Sequence, residues 1–134
     1  MNEEIDQYNN YQDAVDAAIC RIMAETIDSV LTHAQSKIWH SHPVWFIDGN
    51  PIVGYSKQKA GWRLMFWSGA DFNEPVLTIR GKKFKDASIF YTKPEQIDKN
   101  ILIRCLEKSK TIQWDYKNLI KNKGRLDKIN ILSD

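Results

Sequence analysis

The stretch that decides the fold is Pro43–Trp67, PVWFIDGNPIVGYSKQKAGWRLMFW. Turn-forming residues divide it into three short apolar runs: Val44–Ile47, Ile52–Tyr55 and Trp62–Trp67. Aspartate, glycine and asparagine tolerate positive φ, so Asp48-Gly49-Asn50-Pro51 and the residues leading to Gly61 favour tight turns. Apolar runs joined by such turns predict an antiparallel meander.

Length and composition are those of one globular domain. The chain has 134 residues, of which 43% are apolar and 27% charged, enough to form a core without a metal or disulfide. We expect a single α+β domain over residues 1–124 and a basic, then mixed, tail over 125–134. The net charge is only +2, with acids concentrated near the N-terminus and bases near the C-terminus. Solvated helix faces commonly produce such an asymmetry.

Helical patterns flank the meander. Apolar residues at three- and four-residue steps predict a long first helix, about Tyr11–Ala34, with Val15, Ile19, Ile22 and Met23 in its stripe. A fourth strand is expected at Ala87–Tyr91, after an irregular excursion. Thr92-Lys93-Pro94-Glu95 resembles a capping box and predicts a second helix, and a shorter helical stretch follows around Trp114–Lys121. The predicted fold is therefore α+β: an antiparallel sheet of about four or more strands, packed against an N-terminal long helix and C-terminal helices.

Acidic residues of the first helix are the candidate metal ligands. Asp13 and Asp16, and Glu25 and Asp28, are spaced i, i+3, so that two carboxylates of a pair can share a cation. The helix dipole already favours acids in the first turns, which accounts for Asp13 and Asp16. Glu25 and Asp28 are therefore the leading pair.

The strands of the meander are apolar on both faces. An antiparallel sheet with one wet face should instead alternate apolar and polar residues. Either the long loop, the C-terminal segment or a second subunit covers the second face, or aromatic residues line a pocket there. In the latter case the pocket would suit a small organic molecule or a peptide, and its candidate residues are Trp39, Trp45, Tyr55, Met65 and Trp67.

Other classes of site have weaker support. His33, His40 and His42 do not form a recognisable metal pattern, and zinc, nucleophile-elbow and phosphate-loop motifs are absent. Lysines around Phe84 and near the C-terminus could contact nucleic acid, but the modest net charge and the acidic N-terminal segment argue against such a partner. The sequence favours a binding protein over an enzyme without excluding the latter.

The cysteines and the N-terminus point to the cytoplasm. Cys20 and Cys105 lie in two separate helical patterns, and we expect both to be buried, reduced thiols. The start Met1-Asn2-Glu3-Glu4 is acidic, whereas a signal peptide begins with positive charge. No apolar run approaches the length of a membrane-spanning helix, so we expect no membrane partner.

Four segments resemble the YdhG-like family of small bacterial proteins of unknown function: His42–Phe46, Gly49–Tyr55, Leu64–Gly69 and Ile112–Tyr116. The resemblance runs from the first helix to about Leu119 and implies an α+β domain. The wider family includes a frataxin-like intracellular iron chaperone, which implies iron as a ligand held by acidic side chains. No family motif assigns individual ligands, so the acidic residues of the first helix are candidates by chemistry alone.

Overall fold

The computed structural model describes residues 2–131. Its helices and strands, in chain order, are α1 (Glu3–Asn10), α2 (Ala14–Val30), β1 (Gln35–Trp39), β2 (His42–Ile47), β3 (Asn50–Gln58), β4 (Gly61–Phe66), β5 (Ile79–Arg80), β6 (Ala87–Tyr91), α3 (Lys99–Ser109), β7 (Gln113–Trp114) and β8 (Lys128–Ile129). The α+β prediction is confirmed. None of the helices within this range is long and apolar enough to span a membrane.

Six strands form one antiparallel sheet in the order β1-β2-β3-β4-β6-β5. The predicted meander corresponds to β2, β3 and β4, and the predicted fourth strand to β6. Tight turns join the first three strands: His40 and Ser41 have φ of 50° and 72°, and Asp48 and Gly49 have φ of 51° and 80°. Positive φ at both central residues matches the right-handed twist of the strands that these turns connect.

The helices cover one face of the sheet, where the main core lies. Its largest side chains come from alternate positions of neighbouring strands and are at most 2% exposed: Trp45, Tyr55, Trp62, Leu64 and Phe66. The facing side of α2 contributes Ile19, Met23 and Ile27, each fully buried. We call this side of the sheet the covered face.

The N-terminal helical region is divided into two helices. The prediction of one helix over Tyr11–Ala34 is corrected, because the chain leaves the helical path at Tyr11–Asp13, and Asp13 precedes α2 as its N-cap residue. Val15, predicted to lie in the buried stripe, is in the first turn of α2 and is 54% exposed. Ile5 of α1 enters the core instead, at 1% exposure.

The long excursion between β4 and β6 is fastened to α3 by ion pairs. Glu74 is only 2% exposed, and its carboxylate contacts the guanidinium of Arg104 at 2.6 Å and the ammonium of Lys108. These two cations lower the pKa of Glu74 to about 2, the hydrogen bond from Arg104 being the largest cause. A buried carboxylate with two cationic partners is thus part of the native packing.

The start of α3 differs from the predicted capping box. Asp98 caps α3 by accepting hydrogen bonds from the backbone N–H groups of Asn100 (3.0 Å) and Ile101 (3.2 Å). Upstream, Gln96, rather than Glu95, accepts from the backbone N–H of Thr92 at 2.7 Å. Aspartate accepts well from free N–H groups at a helix start, so Asp98 sets the boundary.

The C-terminal segment lies against the sheet without forming the helix predicted at Trp114–Lys121. Gln113 and Trp114 pair with Lys128 and Ile129 as β7 and β8, and a series of turns connects these strands. Of the predicted tail 125–134, residues 125–131 belong to this described part, and residues 132–134 lie outside the described residues.

Candidate functional site

The candidate site lies on the face of the sheet opposite the helices, which we call the open face. Side chains alternate between faces along a strand. In β4, Trp62, Leu64 and Phe66 enter the covered face, so Arg63 and Met65 lie on the open face. Trp67 follows directly after β4 and continues this row.

A glycine at position 54 lets β3 lie close to β2 beside the Trp67 ring. Gly54 of β3 pairs with Met65 of β4. A Cβ atom at Gly54 would lie 2.7 Å from the carbonyl oxygen of Pro43 and 3.4 Å from Cζ3 of Trp67. The first of these separations is closer than real Cβ atoms tolerate, so a side chain here would push β2 and β3 apart, whereas the second is an ordinary van der Waals contact.

Arg63, Met65 and Trp67 form the floor of an open groove with a volume of about 690 Å³. Its apolar lining comes from the sheet and from two segments that cross its edge: Trp39, Phe46, Met65, Trp67, Phe84, Tyr116, Leu119 and Ile120. A smaller cleft of about 230 Å³ continues along the sheet past His42 and Gly54. The groove falls within the range of typical small-molecule sites, and its mainly apolar lining is also typical of them.

Contacts between distant parts of the chain hold the outer wall of the groove, which consists of Phe84, Tyr116, Leu119 and Ile120. Asn50, at the start of β3, donates from Nδ2 to the carbonyl of Trp114 at 2.9 Å and accepts at Oδ1 from the backbone N–H of Lys117 at 3.0 Å. The Tyr116 hydroxyl accepts from the backbone N–H of Lys85 at 3.0 Å, and burial raises the pKa of Tyr116 to about 12. This wall is therefore tied to the hairpin between β2 and β3.

Aromatic rings in the groove are in contact but not stacked. The Trp39 ring centroid lies 5.4 Å from that of Phe46 in an edge-to-face arrangement and 6.3 Å from that of Trp67, with an interplanar angle of 43°. Phe84 and Tyr116 meet edge to face at 6.2 Å. The Lys37 ammonium lies 4.9 Å from the centroid of the Phe46 ring, close enough for a cation–π interaction.

The five residues predicted to line a pocket are divided between the two faces. Trp39, Met65 and Trp67 line the groove. Trp45 donates from Nε1 to the Asp28 carboxylate at 2.8 Å on the covered face, and the Tyr55 hydroxyl donates to Oδ1 of Asn9 at 2.6 Å. Side chains alternate along β2, so the adjacent Trp45 and Phe46 are both buried but on opposite sides of the sheet. The pairing shifts opposite them, where Ile52 of β3 is the extra residue.

The predicted acidic ligands do not converge. Asp28 accepts the Trp45 hydrogen bond, and Glu25 is exposed beside a surface cavity of about 130 Å³. Asp16 forms an ion pair with Lys57 that lowers its pKa, and Asp13 lies at the exposed start of α2. Within residues 2–131, no group of three or more His, Cys, Asp and Glu side chains is arranged to hold a metal ion.

Several groove residues were not anticipated as site residues. Arg63 could have been found from strand alternation, because it lies two positions before Met65 in β4. Phe84 and Tyr116 carried no such signal, since they reach the groove only through the path of the long excursion and of the C-terminal segment.

No family model matches the chain, and neither a curated protein nor a solved structure does. The resemblance to the YdhG-like family, and the iron carriage that it implies, therefore stay predictions from the sequence.

Proposed function

We propose that the protein binds a small organic molecule in the groove of the open face. The observation that carries this proposal is that four half-buried aromatic residues, Trp39, Trp67, Phe84 and Tyr116, line a space of about 690 Å³. When a ligand covers large apolar side chains in a concave surface, their removal from water lowers the free energy of the complex.

The fluorescent probe N-phenylnaphthylamine, which is uncharged and brightens in apolar surroundings, tests the proposal. We expect saturable binding to the wild type and about tenfold weaker binding to Trp67→Ala, because the indole supplies a large part of the apolar floor. Ile103→Ala is the matched control, since Ile103 is 38% exposed on α3, away from the groove. Failure of the wild type to bind, or equal binding by Trp67→Ala, would overturn the proposal.

Iron carriage by the carboxylates of α2 makes a different prediction. It requires Glu25→Gln, and more strongly Glu25→Gln combined with Asp28→Asn, to weaken Fe(II) binding measured under anaerobic conditions. Groove binding requires the same variants to keep their affinity for N-phenylnaphthylamine. Asp28→Asn alone also weakens the partner of the Trp45 indole, so the single Glu25 variant is the cleaner reagent.

A further inference from the structure

Arg63 is a charged side chain in the central row of the groove floor, and it also borders the adjoining cleft. Its Nε donates to the hydroxyl of Ser88 at 2.8 Å, and one terminal nitrogen donates to the Asp86 carboxylate at 3.3 Å. Ser88 is fully buried, so the first of these bonds anchors the side chain to the sheet. A guanidinium has five N–H donors, and the remaining ones have no acceptor among residues 2–131.

The charges that line the groove are unbalanced. Among residues 2–131, three cations of the groove lining, Lys37, Arg63 and Lys117, face a single carboxylate, Asp86, which already contacts Arg63. The Lys117 ammonium donates to the backbone carbonyl of Asp48 at 2.8 Å, a neutral partner, and forms no ion pair within the described part of the chain. The described residues that line the adjoining cleft include no acidic one. Low-dielectric walls strengthen the field of such a surplus within a concave site.

We propose that the groove selects molecules with an apolar, ring-containing body and one anionic group, which Arg63 binds. This inference rests on the proposed function and names its class of ligand. The body covers Trp39 and Trp67, and the anionic group accepts hydrogen bonds from the free N–H donors of Arg63. A planar guanidinium already held by Ser88 loses little conformational freedom when it binds a carboxylate, sulfonate or phosphate.

Two related probes separate the charge from the apolar body. Anilinonaphthalene sulfonate carries the aromatic system of N-phenylnaphthylamine together with one sulfonate. We expect the wild type to bind the sulfonate probe about tenfold more tightly than the neutral probe, and this preference to decrease as NaCl rises from about 20 mM to about 500 mM. Equal affinities that do not respond to salt would overturn the anion proposal and leave groove binding intact.

Two variants then test whether Arg63 is the residue that binds the sulfonate group. Arg63→Met should weaken binding of the sulfonate probe about tenfold and keep binding of the neutral probe within about twofold. Lys99→Met removes a cation from α3 on the opposite side of the sheet and should change neither affinity. If Arg63→Met leaves the sulfonate preference unchanged, Arg63 is not the anion site. If the neutral probe does not bind to the wild type at all, the proposed function itself fails. Circular dichroism of each variant establishes that it is folded.

Discussion

The two faces of the central sheet both carry aromatic side chains, but the environments of these side chains differ. On the covered face, helices enclose Trp45 and Tyr55, and neighbouring polar groups satisfy their hydrogen-bond donors. On the open face, Trp39 and Trp67 border a groove whose edge is formed by the C-terminal segment and part of the excursion. The comparison indicates that the covered aromatic residues stabilise the fold, whereas the groove residues are available to a ligand.

The largest expected difference between the faces concerns tryptophan. Trp45→Ala should lower the free energy of unfolding by about 3–5 kcal/mol, because it leaves a cavity and removes the partner of Asp28. Trp67→Ala should cost only about 1 kcal/mol, since this side chain is half-buried. Urea unfolding followed by circular dichroism measures both. Similar losses for the two variants would contradict the assignment of the faces.

A smaller effect is expected at Glu74, which attaches the excursion to the helical side. Glu74→Gln should cost about 1–2 kcal/mol at neutral pH, because the buried group loses two charge-assisted hydrogen bonds. Arg104→Met combined with Lys108→Met should cost more, since it leaves the carboxylate buried without a partner, whereas Arg104 and Lys108 are 54% and 33% exposed and can be solvated.

The ion pairs of Glu74 should also make the stability of the protein depend on pH in the acidic range. The folded pKa of Glu74 is lowered to about 2 from a normal value of 4.5, so the unfolded chain binds the proton more readily. The stabilisation from Glu74 is therefore complete above about pH 4.5 and is lost as the pH falls towards 2. The decrease in wild-type stability over this range should be smaller in Glu74→Gln, as measured by urea unfolding at several pH values.

Removing one tyrosine hydroxyl from each face compares the two faces through a smaller change in stability. Tyr55→Phe leaves the buried Asn9 oxygen without its donor and should cost about 1–2 kcal/mol. Tyr116→Phe removes an acceptor from the Lys85 N–H on the groove side, where water can replace it, and should cost less than about 0.5 kcal/mol. Thermal unfolding of the pair measures this difference, and the reverse order would argue that the groove wall is more tightly packed than the helix-covered core.

The smallest effect is expected from thiol reagents. Cys20 and Cys105 are buried and unbridged, and burial raises their pKa values to about 12 and about 11. Neither should react with iodoacetamide in the native protein, because reaction requires the exposed thiolate. Mass spectrometry before and after addition of denaturant tests this expectation. Rapid labelling under native conditions would show that the covered face opens readily.

The comparison also explains what could be read from the sequence. Turn residues and short apolar runs were sufficient to predict β2, β3, β4 and β6, because these signals are local. Periodicity could not decide which face the helices cover, since Trp45 and Phe46 are adjacent and both buried. The strand β1 was missed because its sequence, QSKIW, is half polar, and its pairing with β2 establishes it.

The candidate site was predictable only in part, for a related reason. Trp39, Met65 and Trp67 were named as candidate pocket residues because they are aromatic or apolar, and strand alternation could have added Arg63. The outer wall could not be predicted, because Phe84 and Tyr116 meet through contacts between segments far apart in the chain. Their lysine-rich surroundings suggested a solvated or nucleic-acid-binding face instead.

The anchoring of the wall by Asn50 has a consequence for the order of folding. Its partners Trp114 and Lys117 lie 64 and 67 residues later in the chain, whereas the strands of the meander pair with near neighbours. Closing so long a loop costs more entropy than forming a hairpin, and contacts between near neighbours form sooner. We therefore expect the meander to form before the groove. During synthesis, the groove would be completed only after the ribosome has released the segment beyond Gln113.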